Sequence, residues 1–298
     1  MSTQRISPLA ALFVAILAMS WGAILVRWSD APTTVAAFYR VLFTGLPLIP
    51  LAVWRYRDDL REISLRDIGF ASAAGIALAL HFATWFESLS WTSVAASVTI
   101  VQAQPLFVAI GAWLLLHERL SRRMTLGIGI AVVGMVAMSL GDFIGGTLVG
   151  PRPMYGNGLA LVAAVMMAGY VLTGRSLRQR IAVIPYVVVV YAVCTLVLAG
   201  IVAVQGHGFG GYPTREWLIF IGLAIGPGLI GHTVINWVLG YLESSVVSVS
   251  ILGEPIGAAL LAVLLLSEIP TPYTVLGGLI VLSGIYLTAT DASHPRTE

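Results

Sequence analysis

Residues 184–205 read IPYVVVVYAVCTLVLAGIVAVQ, twenty-two positions without one charged side chain, and most of the chain repeats that theme. An α-helix rises 1.5 Å per residue, so about 20 apolar residues cross the ~30 Å hydrocarbon layer of a bilayer. Runs of that length predict ten membrane helices, at 8–28, 33–54, 66–87, 93–117, 123–141, 156–176, 184–205, 215–237, 243–267 and 272–290. The third and eighth are the least regular, carrying His81 and His232 among glycines. All the connections are short, and nothing resembles a separate soluble domain. Charged residues make up 10% of the 298, where a soluble domain carries about 25%. Too few polar side chains are present to cover a water-facing surface, so the expected class is an all-α membrane protein.

The balance of charge narrows the function. Net charge is +2, from scattered arginines, with no lysine and no basic block, which excludes nucleic acid as a partner. Cys194 is the only cysteine and leaves no intrachain disulfide. The first apolar run is too long for a signal-peptide core and lacks a small-x-small cleavage site, so it reads as a retained span. Cytoplasmic loops carry the excess of Lys and Arg. With the N-terminus inside, that side collects Arg5, Arg55, Arg57, Arg61, Arg66, Arg119, Arg122, Arg123, Arg175, Arg178, Arg180 and Arg296. The other side holds Arg27, Arg152 and Arg215, and Arg40 lies within a span. Both termini are therefore expected in the cytoplasm.

One segment is written twice. Gln104 to Glu118 reads QPLFVAIGAWLLLHE, and Glu254 to Glu268, 150 residues later, reads EPIGAALLAVLLLSE. Proline is second and glutamate last in both, and the match continues at the same offset through Gly127 with Gly277 and Gly134 with Gly284. The fourth and fifth spans thus repeat as the ninth and tenth, and the repeating unit is five helices, 8–141 and 156–290. Five is odd, so the second unit must enter the membrane upside down. The turn after Glu118 is RLSRR and the turn after Glu268 is IPTPY, as opposite sides require. Inverted repeats are the architecture of secondary transporters, which bind substrate near the midplane between the halves.

Pro105…Glu118 and Glu254-Pro255…Glu268, each followed by a glycine-rich helix, resemble the EamA repeat of the drug/metabolite transporter (DMT) superfamily. SWGAILVR, Ser20 to Arg27, resembles that repeat's first helix. The resemblance covers nearly the whole chain, and the nearest branch is that of the YddG-like exporters of aromatic and other neutral amino acids. It implies two inverted five-helix repeats around a central cavity lined by spans 1, 3, 4, 6, 8 and 9, with spans 5 and 10 as an outer scaffold. It implies a monomeric multi-pass protein of a bacterial cytoplasmic (inner) membrane, with a small-molecule substrate, lipid around it and no cofactor or metal. One departure is that Gln104 stands where the second copy has Glu254.

The cavity residues follow from spacing. His81 and Trp85 are four apart and share a helix face, as do His232 and Asn236, with Trp237 beside them. Each histidine is either an interhelical hydrogen bonder or a substrate contact. Trp21, beside Gly22 in mid-span, is a cavity residue, whereas Trp28, Trp54 and Trp91 fit a membrane interface. Ser97 and Gln104 lie near one face of the fourth span, with Gln102 pointing elsewhere; Ser250 and Glu254 are four apart on the ninth. Pro105 and Pro255 each free a backbone carbonyl one turn earlier, so these segments either receive a substrate ammonium group or simply kink. Glu254 contacts the ammonium, carries a proton or makes a structural hydrogen bond. Arg40 pairs with Glu254, receives a carboxylate, or snorkels to the headgroups, the last being the reading preferred from sequence. Glu118 and Glu268 end helices where the dipole disfavours acids, which suggests gate or loop fasteners. Gly226-Pro227-Gly228 should bend the eighth span.

An intramembrane enzyme is the rival class. His117-Glu118-Arg119-Leu120-Ser121 is not HExxH, and Gly141-Asp142 has no partner for an aspartyl dyad. Few cations for the cavity argue against nucleotide-sugars and other anions, and exporters of other small metabolites or drugs stay open beside amino acids.

Overall fold

The computed structural model describes residues 7–116, 121–144, 150–177, 180–231, 234 and 250–292. Among them the chain is helical between short turns, with no strand. The helices are α1 Pro8–Trp28, α2 Thr33–Gly45, α3 Leu48–Arg55, α4 Arg57–Glu62, α5 Leu65–Trp91, α6 Val94–Val101 and α7 Gln104–Leu116. They continue as α8 Arg122–Ile144, α9 Pro153–Leu177, α10 Val183–Val204, α11 Thr214–Leu223, a π-helix Ala224–Gly231, α12 Gly253–Leu266 and α13 Pro272–Ala292. Among the described residues, six segments are long and apolar enough to cross a bilayer, and two shorter apolar helices accompany them.

Apolar side chains point outward as well as inward. Trp54, Leu196, Val204 and Leu264 are all more than two-thirds exposed, while Arg40 and Glu254 are buried. That is the reverse of a soluble surface and suits lipid as the surrounding solvent.

Several spans are interrupted where the sequence carries proline. The fourth is broken at Gln102–Ala103, between α6 and α7, just before Pro105. The ninth is broken at Leu252, just before Pro255. Gln102 and Leu252 are separated by the same 150 positions as the duplicated segment. A proline fits the first turn of a helix, where its missing N–H is unneeded, and is costly further in, so the chain restarts its helix around it. The bend expected at Pro227 takes the form of a π-helix.

The packing pairs fall into a pattern of exchange. α1 lies against α12 and the π-helix, while α9 lies against α6, α7 and α5. α10 contacts α5, and α2 contacts α11 and the π-helix; α10 also meets α2, and α8 meets α13. Swapping each span for the one at the corresponding place in the other half turns each of these pairs into another of them or into itself, whereas α2 against α5 and α8 against α9 have no counterpart of comparable extent among the described residues. The glycines give the symmetry at atomic scale. A β-carbon on Gly127 would sit 2.7 Å from the Gly284 carbonyl oxygen, and one on Gly134 would sit 2.8 Å from that of Gly277. The duplicated glycines thus meet crosswise, so α8 and α13 run antiparallel and touch through equivalent surfaces, as partners across a twofold axis do. Glycine is required there because backbone faces backbone.

Candidate functional site

The breaks in the fourth and ninth spans place helix ends inside the protein. α6 is eight residues long, so its C-terminal end lies ~12 Å along the helix from its start. Glu254 falls in the first turn of α12, where free N–H groups and the positive end of the helix dipole favour a carboxylate. Its Oε2 accepts a hydrogen bond from Gln102 Nε2 at 2.5 Å, and Ser20 Oγ on α1 donates to its backbone carbonyl at 3.2 Å. Three elements from both halves therefore converge on one acid.

Gln102 corrects an expectation. On an unbroken helix it points away from Ser97 and Gln104; the break turns it toward Glu254, and Gln104 begins the next helix half-buried. Ser97 is fully buried and shares a 2.6 Å hydrogen bond with Ser88, which itself donates to the Trp85 carbonyl. Ser250 is half-buried, Pro255 buried and Pro105 half-buried.

Arg40 also departs from expectation. It is 4% exposed and does not snorkel. Its guanidinium carbon lies 4.4 Å from the centroid of Phe82, 5.5 Å from Trp85 and 5.6 Å from Phe86. These rings occupy positions i, i+3 and i+4 of α5 and form one face, giving the cation a quadrupolar cradle in place of water. Arg40 lies well inside the apolar segment Thr33–Arg55, and its guanidinium turns inward to these rings. Glu254 acts on it through space without an ion-pair contact.

His81 Nδ1 donates to the Ala163 carbonyl on α9 at 2.9 Å, and its ring stacks on Trp85 with centroids 5.9 Å apart. Trp21 is half-buried against Trp28, 5.8 Å between rings, and Gly22 beside it faces Trp85 and Pro227. Trp54 is exposed, as an interfacial residue should be. His232, Asn236, Trp237 and Glu118 lie outside the described residues. A groove of about 750 Å³ along α8, bordered by Arg122, Leu126 and Ile280, shares no residue with this cluster.

A second polar cluster closes one end of the bundle. Glu268, just past α12, pairs with Arg27 at 3.1 Å and accepts the Val94 backbone N–H at 2.6 Å, while Arg27 donates to the Leu89 carbonyl at 2.6 Å. Nearby, Glu216 accepts Ser29 Oγ at 2.5 Å and the Asp30 N–H at 3.1 Å. Arg215 donates to Asp30 and to the Trp28 carbonyl, both at 2.6 Å. Thr34 donates to Gln205 and Thr92 to Asn157, at 2.6 and 2.8 Å. At the opposite end Arg180 pairs with Asp67 at 3.1 Å. The sequence located Glu268 but not its partners, which lie up to 241 positions away.

Burial pushes the Glu268 carboxyl above its ordinary value, against the pull of the Val94 N–H and the Arg27 charge. Between the unfolded and folded values the folded protein binds the extra proton, so this group's contribution to stability falls as pH rises through that window. The ion pair to Arg27 is complete only above it. Glu268→Gln at neutral pH should therefore imitate acidification and loosen the clamp. The check uses a cysteine at Val98, one turn deeper on α6, in a Cys194→Ser background. Its labelling, normalised to a cysteine at exposed Gly210, should speed up several-fold; an unchanged ratio means that the clamp does not control access.

Long apolar helices, an apolar exterior and a charged, buried centre at interrupted helices define a multi-pass integral membrane protein of the transporter class. The chain belongs to the EamA-like transporter family, whose model matches residues 8–140 and 154–290. It is 25% identical over 285 residues to an uncharacterized transporter of Synechocystis sp., covering 89% of this chain and 83% of that one. An uncharacterized transporter of Archaeoglobus fulgidus is 23% identical over 255 residues, covering 85% and 86%. A solved crystal structure shares the fold with a TM-score of 0.61 at 21% identity, covering 95% of this chain and 96% of that one.

Proposed function

We propose that this transporter exports small zwitterionic or neutral metabolites, foremost aromatic and other neutral amino acids, by alternating access. Ten spans form two inverted repeats, 8–141 and 156–290, in a bacterial cytoplasmic membrane with both termini inside, and the monomer is the working unit. The substrate site lies between the halves around Glu254, Gln102, Ser250, Ser97, His81 and Trp85, and His232, Asn236 and Trp237 of the eighth span complete it. The observation that carries this reading is a carboxylate at an interior helix start, bonded across to the other half by Gln102. Such a group can hold a substrate ammonium while the crosswise packing of the halves lets one state convert into its inverted counterpart. In the expected orientation the Arg27–Glu268 cluster is the outer gate.

The test is flux in liposomes carrying the full-length protein, with a panel of labelled amino acids and unrelated neutral metabolites. Aromatic and branched amino acids should move faster than the protein-free leak. Movement of another metabolite or drug class, with none of the amino acids, would replace the substrate assignment. Repeating the assay with an imposed pH gradient reads coupling: a flux indifferent to the gradient excludes obligatory proton exchange.

A further inference from the structure

Two hydrogen-bond donors at the centre of the protein have nothing to donate to. Arg40 Nη1 and Trp85 Nε1 are both buried without an acceptor. Their side chains are 4% and 5% exposed, and they belong to one cluster, with the guanidinium carbon 5.5 Å from the Trp85 ring. A guanidinium keeps its charge at physiological pH and presents planar N–H groups that match a carboxylate. The rings of Phe82, Trp85 and Phe86 attract the cation through their faces, yet accept none of its in-plane N–H bonds. Glu254, whose charge acts on Arg40 through space, is committed to Gln102 and makes no ion-pair contact with Arg40. His81 stacks on Trp85 while tied to the Ala163 carbonyl, which fixes one face of the indole. Buried donors are normally paired, and two orphans in one cluster mark the place of an absent acceptor.

We propose that Arg40 and Trp85 form the subsite for a carboxylate group of the transported molecule, Arg40 by charge-assisted hydrogen bonding and Trp85 through its indole N–H. The proposal rests on the transport function assigned to the same core. It divides the labour at the centre: Glu254 and Gln102 face the cationic end of a zwitterion, and Arg40 and Trp85 its anionic end. A neutral amide of the same shape lacks the charge and one acceptor, so it is the discriminating probe.

Two measurements on the full-length protein test this. In detergent, phenylacetate should raise the melting temperature of the wild type, phenylacetamide should not, and Arg40→Gln should abolish the shift. Trp85→Phe keeps an aromatic ring on α5 while removing the N–H together with part of the indole, so it remains informative if Arg40→Gln fails to fold; it should reduce the phenylacetate shift. In liposomes, phenylalanine should compete at least tenfold better than phenylalaninamide, and in Arg40→Gln that ratio should fall toward one. Equal stabilisation by acid and amide, an unchanged acid-to-amide ratio in Arg40→Gln, or a full phenylacetate shift in Trp85→Phe would overturn the subsite. Absence of phenylalanine flux beside a phenylacetate shift lost in Arg40→Gln would remove the amino-acid substrate and leave the carboxylate subsite standing.

Discussion

Gly284→Ala should cost the folded protein about 3 kcal/mol, at the upper end of what overpacking does. An alanine β-carbon there would lie 2.5 Å from the Gly127 carbonyl oxygen and 2.6 Å from the Ala131 nitrogen. Both are backbone atoms, so no side chain can rotate away and α8 and α13 must separate. Alanine is the better helix former by about 1 kcal/mol, and the clash outweighs that gain. Gly129 supplies the control. It lies on α8, the helix that Gly284 packs against, with nothing within 4 Å of an added β-carbon, so Gly129→Ala should leave stability unchanged or slightly higher. The measurement is thermal unfolding of the two purified variants. Equal melting temperatures would mean that the glycine crossing does not hold the halves together.

Removing the central acid should have the largest effect on transport. Glu254→Ala leaves the Gln102 amide without its partner and takes away a carboxylate that acts on Arg40 through space. Truncating one member of a buried charged set costs about 3 kcal/mol or more, which at 1.4 kcal/mol per decade is roughly a hundredfold loss of the competent state. Glu254→Gln separates charge from packing. It retains a carbonyl oxygen for Gln102 and should fold near normally, yet flux should fall at least about tenfold, the value of one lost charge-assisted contact of ~1.4 kcal/mol. Initial rates in liposomes, normalised to folded protein, decide it. A Glu254→Gln variant moving substrate at the wild-type rate would leave the carboxylate a packing role only.

Much of this architecture is written in the sequence. The 150-residue offset locates both broken spans and the glycines that cross between α8 and α13, because duplicated sequence in a pseudosymmetric fold makes equivalent contacts. Composition gave the membrane class, since lipid removes the need for a polar surface. Other features were illegible for definite reasons. Helical spacing assumes an unbroken helix, and the interruption at Gln102–Ala103 turns Gln102 toward Glu254. Arg40 reads as a snorkelling residue because one helix cannot reveal the aromatic face of α5 that receives it. Leu89 and Glu268, which Arg27 holds, and Ser29, which Glu216 holds, lie 62 to 241 positions away, and no local pattern encodes such pairing.

The crosswise meeting of Gly127 with Gly284 and of Gly134 with Gly277 has an evolutionary corollary. Contacts that exchange in this way are those that two identical polypeptides make when one is inserted opposite to the other. A half-length ancestor able to adopt both orientations would already have owned this seam, and joining two copies end to end would have needed no new interface. Later divergence could then give each half its own chemistry, as Gln104 facing Glu254 across the alignment of the two copies illustrates.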